Sequence, residues 1–205
     1  MTRIGFSQII LILAVTLSNC TSTNAQTIVD FVDGETPSVF SDITYGYDFT
    51  VSDTLLVFGL GVFESFDRPL ESEHEVGLWD AAGNLLAEVS VDGNALVVES
   101  ENTLGHFRTA NISPRLLSSG QYFVGAHYFA DNDDILTFGT DVAIEGVEYG
   151  SARFSFGTEL QFPDSAFGTS LVGGSVFGSV SVPEPSCTII FLFVTTFTLR
   201  RNKQW

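Results

Sequence analysis

The residues of this chain that could do chemistry are three histidines, many carboxylates and one short run of aspartates. His74, His106 and His127 are scattered, without the close spacing that brings two imidazoles to one metal ion. His74 lies among Glu71, Glu73 and Glu75, a composition that reads as a solvated loop. Gly168-Thr169-Ser170-Leu171-Val172 begins like a nucleophile elbow but ends on valine where that motif needs glycine. A phosphate-binding glycine loop closing on lysine is excluded, because residues 26–181 contain no lysine. Carboxylate pairs suited to glycoside hydrolysis can be drawn almost anywhere, so no pair is singled out. No catalytic constellation emerges, and the expectation is a protein that is not an enzyme.

Two weaker patterns point to ligands. Asp131, Asp133 and Asp134, with Asn132 between them, offer the oxygen ligands that calcium takes. The run lacks the glycine and distal glutamate of an EF-hand loop, and a plain turn between strands, which Asp and Asn favour, is the preferred account of it. Calcium is the one cofactor considered; none other is indicated. The second pattern is Trp79 beside Glu75 and Glu88. An indole on an otherwise acidic and polar strand face can stack on a sugar ring while a neighbouring carboxylate accepts hydroxyl hydrogen bonds. The competing reading is that this face is also covered and Trp79 is core.

The elements that would position these groups are short strands. His74 to Val91 reads as a hairpin about Ala81-Ala82-Gly83-Asn84, with Asp80 facing Leu85, Trp79 facing Leu86, Leu78 facing Ala87 and Val76 facing Val89. That register gathers Val76, Leu78, Ala87 and Val89 on one face. Tyr45 to Val51 alternates, and Leu55 to Phe63 is apolar on both sides, as suits a strand covered on both faces. Leu117-Ser118-Ser119-Gly120-Gln121-Tyr122 turns into another strand, with Tyr122 placed to fold its hydroxyl back onto upstream backbone as a tyrosine corner. Phe107–Ile112, Gln121–Phe129, Ile135–Phe138, Val142–Val147, Arg153–Phe156 and Ser175–Val182 complete the candidates. Many short strands and no helical period predict an all-β fold: a single antiparallel, jelly-roll-like β-sandwich over residues 26–181.

Both ends of the chain carry addressing signals. Residues 1–25 have Arg3, an apolar core from Ile9 to Leu17 and Thr23-Asn24-Ala25 before Gln26, which reads as a signal peptide cleaved between Ala25 and Gln26. Leu17-Ser18-Asn19-Cys20 has the order of a lipoprotein box, but Asn19 stands where a small residue is required. In residues 182–205, Pro183-Glu184-Pro185 precedes an apolar run from Cys187 to Leu199 and the cations Arg200, Arg201 and Lys203. The prolines stop helix entering from upstream, the run seeks a bilayer, and the arginines favour the cytoplasmic side. As a helix its 13 residues span about 20 Å, short of a hydrocarbon core of about 30 Å, so the flanks must snorkel or the bilayer thin.

This ordered triad resembles the PEP-CTERM sorting signal of exported bacterial proteins. The resemblance implies recognition of Pro183, Glu184 and Pro185, with Arg200 and Arg201 as the stop, by a membrane-embedded exosortase. It also implies transient or retained membrane anchoring and a final place at the cell surface or in extracellular polymer. The segments His74–Val91 and Leu117–Tyr128 resemble the uncharacterised β-sandwich modules of such secreted proteins, which implies adhesive or binding duty.

Charge and cysteine content bound the partners. Of 25 acidic residues only Glu184 falls outside residues 26–181, whereas only Arg68, Arg108, Arg115 and Arg153 of the eight Lys and Arg fall inside, a net charge of −20. Nucleic acid is excluded as a partner by that field. Cys20 and Cys187 both lie outside the span, so packing and not a disulfide must hold it. The expectation is an exported, surface- or matrix-associated β-sandwich protein with a structural or binding role. The alternative is a lectin-like module or carbohydrate-active enzyme working on extracellular polysaccharide.

Overall fold

The computed structural model describes residues 26–36, 42–130, 136–168 and 171–180. The expected signal peptide, the apolar C-terminal run and the Asp131–Asp134 cluster lie outside these residues. Within them the fold is all-β and every strand pairing is antiparallel. Among the described residues no helix is long and apolar enough to cross a membrane.

In chain order the strands are β1 (Gln26–Thr27), β2 (Val29–Val32), β3 (Ile43–Val51), β4 (Leu55–Ser65), β5 (His74–Asp80), β6 (Leu85–Val91), β7 (Leu96–Val98) and β8 (Gly105–Leu117). They continue with β9 (Gly120–Tyr128), β10 (Thr137–Phe138), β11 (Thr140–Ala143), β12 (Val147–Phe156), β13 (Ser165–Phe167), β14 (Leu171–Val172) and β15 (Gly174–Val180). Two main sheets result, one in the order β1-β15-β4-β8-β7 and the other β13-β12-β3-β9-β5-β6. The chain passes repeatedly between them: β3 to β4, β4 to β5, β6 to β7 and β8 to β9 each change sheet. The pairs β2-β11 and β10-β14 form two small ribbons.

One buried cluster joins the elements. Tyr47, Phe49, Val76, Leu78, Val124 and Ala126 from the six-stranded sheet pack with Leu55, Val57, Leu60, Val62 and Val176 from the five-stranded one. Period-two alternation puts Val76, Leu78, Val124 and Tyr47 on the same face, as their cross-strand partners show. β4 is buried along almost its whole length, the two-sided strand its composition implied. On its second face Phe63 meets Phe107 edge-to-face at 5.7 Å, and Phe107 meets Phe177 in the same way at 5.7 Å.

The β5-β6 hairpin turns where expected. Asp80 organises the loop: its carboxylate accepts hydrogen bonds from the amides of Ala82 and Asn84, both at 2.9 Å, and Gly83 takes φ 80°. Val76 pairs with Val89 and Leu78 with Ala87. Trp79, however, pairs with Leu85 and not with Leu86, because a bulge between Leu78 and Trp79 shifts the register. The Tyr122 hydroxyl donates to the carbonyl of Ser118 at 3.0 Å, closing the expected tyrosine corner. The expected strand Val142–Val147 is two strands: β11 ends at Ala143, a turn with Gly146 at φ 81° intervenes, and β12 starts at Val147. β2, β7 and β13 were not expected, being too short to show alternation.

Candidate functional site

Trp79 lies on the second face of the six-stranded sheet, with Phe123, Gly125, Gly77 and Asp48. Its indole folds back over Gly77, where any Cβ would collide with the ring. A loop, residues 157–164, crosses this face between β12 and β13. Phe162 packs edge-on against Trp79 at 6.1 Å and against Phe123 at 4.8 Å, and Pro163 is buried above Gly125. The loop is pinned by the Gln161 amide, which donates to the Thr44 hydroxyl at 3.0 Å, and by the Gly157 amide, which donates to the Asp42 carbonyl at 3.2 Å. Trp79 is thereby left 4% exposed, and Glu75 and Glu88 stand exposed at the edge of the covered face without an aromatic surface between them. The stacking platform expected on Trp79, Glu75 and Glu88 is closed by Phe162, and the indole is core.

Among the described residues three carboxylates that the sequence did not single out are buried, Asp30, Asp48 and Glu64, and the last two are paired with arginine. Asp48, in the middle of β3, accepts from Arg153 Nε at 2.6 Å, Gln121 Nε2 at 2.8 Å and the Ser151 hydroxyl at 2.9 Å. Glu64, near the end of β4, accepts from His106 Nε2 and Arg108 Nε, both at 2.6 Å, and from the Leu70 amide at 3.1 Å. For both groups burial pushes the pKa up, but the donors outweigh it and hold each carboxyl below its usual range. Their oxygens are thus occupied by fixed donors, a geometry suited to holding strands together. A signal was present: Asp48 and Glu64, like Asp30, stand inside largely apolar strands, and Arg108 and Arg153 are two of only four arginines in the body.

The histidines also prove structural in placement. His74 and His127 are fully buried, and His74 Nδ1 donates to the carbonyl of His127 at 2.8 Å. His127 packs edge-on against Phe129 at 4.7 Å, and neither of its ring nitrogens meets a hydrogen-bond partner. Desolvation lowers its pKa, overriding the attraction of Asp42 and Glu75.

Of the remaining predicted site residues, Gln26 opens β1 and pairs with Gly178. Ala25, Pro183, Glu184, Pro185, Arg200 and Arg201 lie outside the described residues, as do Asp131, Asp133 and Asp134. Among the described residues no group of three or more His, Cys, Asp or Glu is arranged to hold a metal ion.

Among the open concavities of the described residues is a trough on the five-stranded sheet. It holds about 450 Å³ and is lined by residues of β1, β4, β7, β8 and β15, among them Gln26, Phe58, Leu96, Asn111 and Phe177. Compared with known proteins, the chain matches no family model, and none of the curated proteins is detectably similar to it.

Proposed function

We propose that this chain is an exported protein of the cell surface or extracellular matrix, a jelly-roll-like β-sandwich that binds or builds. In this reading an N-terminal signal delivers it across the inner membrane. A PEP-CTERM-type segment then holds it in the membrane, at least transiently, for an exosortase-type enzyme. The two antiparallel sheets around a common core support the sandwich. The export reading rests on one observation, the order of groups in the sequence at both ends: Arg3, the apolar core from Ile9 to Leu17 and Thr23-Asn24-Ala25 before Gln26, and then Pro183-Glu184-Pro185, the run from Cys187 to Leu199 and Arg200-Arg201. Both expected signals lie outside the described strands, of which the first and the last, β1 and β15, pair with each other. Their removal leaves every described strand intact.

Intact-mass measurement of the protein recovered from its native cell tests this. The expected species begins at Gln26 and ends near Pro183-Glu184-Pro185. A mature species that retains Arg200 and Arg201 overturns the sorting reading of the tail.

A further inference from the structure

We infer that the trough on the five-stranded sheet is a binding site for a neutral polysaccharide chain. It rests on the export reading, since such polymer is met outside the cell, and it adds the site and the ligand class.

The trough exists because β4 carries two glycines and a bulge. A Cβ at Gly61 would collide with the Arg108 carbonyl and then with the Phe177 ring; at Gly59 a Cβ would press on Thr109, the Ala110 carbonyl and Phe177. Against β15, Phe58 is the extra residue, since Phe177 pairs with Gly59 and Gly178 with Val57; against β8 the surplus is on the other strand, where Ile112, Ser113 and Pro114 stand opposite Phe58. Bulges of this kind re-aim a side chain, and Phe58 is turned to the trough wall. Gly59, Thr109 and Phe177 make a floor of small and apolar groups. The Thr109 hydroxyl is spent on the Leu60 carbonyl at 3.1 Å and so presents no free donor there.

The walls are of two kinds. Phe58, Leu96, which is 63% exposed, and Val98 are apolar surfaces for the C–H faces of a sugar ring, while Gln26, Asn111 and Glu99 supply amides and a carboxylate for hydroxyls. None of the lining residues is cationic, and the body carries −20, so an anionic polymer finds repulsion and no counter-charge. A neutral polyol needs neither. Gln26, at the rim, is also the residue that maturation is expected to place at the N-terminus, where its amino group adds one positive charge against the −20 of the body.

Native affinity electrophoresis of the full-length protein tests the site, with hydroxyethyl cellulose as the neutral probe and alginate as the anionic comparator. The expected result is retardation by the neutral glucan alone, unchanged by added salt because no counterions are released. Leu96→Asp, at an exposed position, should weaken retardation by about tenfold or more, a loss of roughly 1.4 kcal/mol or greater. Asn111→Ala should weaken it less, and a thermal melt of each variant should match the parent. No retardation by the glucan, retardation by alginate, or an undiminished Leu96→Asp each overturns the site. Protein that reaches the surface yet ignores glucan refutes the trough and leaves the export reading standing; glucan binding by a chain retained inside does the reverse.

Discussion

Each main sheet has a second face, and the two are finished differently. On the six-stranded sheet Trp79 and Phe123 are sealed by Phe162 on the 157–164 loop, and Asp48 is neutralised by Arg153 beneath the same cover. Arg153 also stands over the Phe123 ring at 5.3 Å, so the ion pair and the aromatic layer are one unit. On the five-stranded sheet Phe58, Leu96 and Phe177 border a trough that no described loop crosses. Trp79, the aromatic residue most conspicuous in the sequence, is thus interior, and the trough is lined by mixed apolar and polar residues, the bulged Phe58 and the exposed Leu96 among them. Conspicuous chemistry and accessible chemistry are different properties.

The contrast is sharpest at Trp79. Trp79→Ala should cost about 3–5 kcal/mol, because it empties the space between Gly77 and Phe162. Chemical denaturation measures this, and a change below about 1 kcal/mol would show that the loop does not seal the face. Gly77→Ala attacks the same packing from below. Its methyl group meets the indole, and overpacking of this kind costs about 1–3 kcal/mol.

Arg153→Met separates the ionic part of the covered face from its aromatic part. It leaves Asp48 buried without its cation, for a loss of about 2 kcal/mol after allowing for the partial exposure of Arg153. The lost stability should return as pH is lowered and Asp48 takes up a proton. A loss that persists unchanged at acid pH would place the effect in packing against Phe123. At the trough, by comparison, Leu96→Asp should alter stability by no more than about 0.5 kcal/mol, as exposed positions do.

Acid should act in two stages. His127 has a lowered folded pKa, so its contribution is complete above the unfolded value of about 6.5 and declines as pH falls below it. Asp48 and Glu64 also have lowered folded pKa values. Their contribution is present above the unfolded value near 4 and is lost as pH falls through the folded one. Melting temperature followed from pH 7.5 downward should therefore decline first below about 6.5 and again below about 4. His127→Phe should abolish the first decline only; an unchanged first decline in that variant would remove His127 as its cause.

Local pattern carried the sequence reading a long way. Alternation along Val76, Leu78, Ala87 and Val89 determined which face of the β5-β6 hairpin turns inward, because side chains in a strand alternate whatever the strand pairs with. Asp80 and Gly83 determined where it turns, and the spacing of Tyr122 from Ser118 determined the corner, since both are contacts within a few residues. Alternation along β3 and the two-sided apolar run of β4 likewise announced an all-β chain.

Only the tertiary structure decided what lies over each strand. The cover on Trp79 comes from Phe162, and the partner of Asp48 from Arg153, both far along the chain, so no window of sequence contains the interaction. The bulges at Trp79 and Phe58 are equally invisible locally, because they arise from the register a neighbouring strand imposes. The sequence by itself determined that the strands form, where several turn, and that the charge is negative. What covers each apolar face depended on long-range packing: a loop seals Trp79 and Phe123 on one sheet, while on the other Phe63, Phe107 and Phe177 are buried and no described loop crosses the trough beside Phe58 and Leu96.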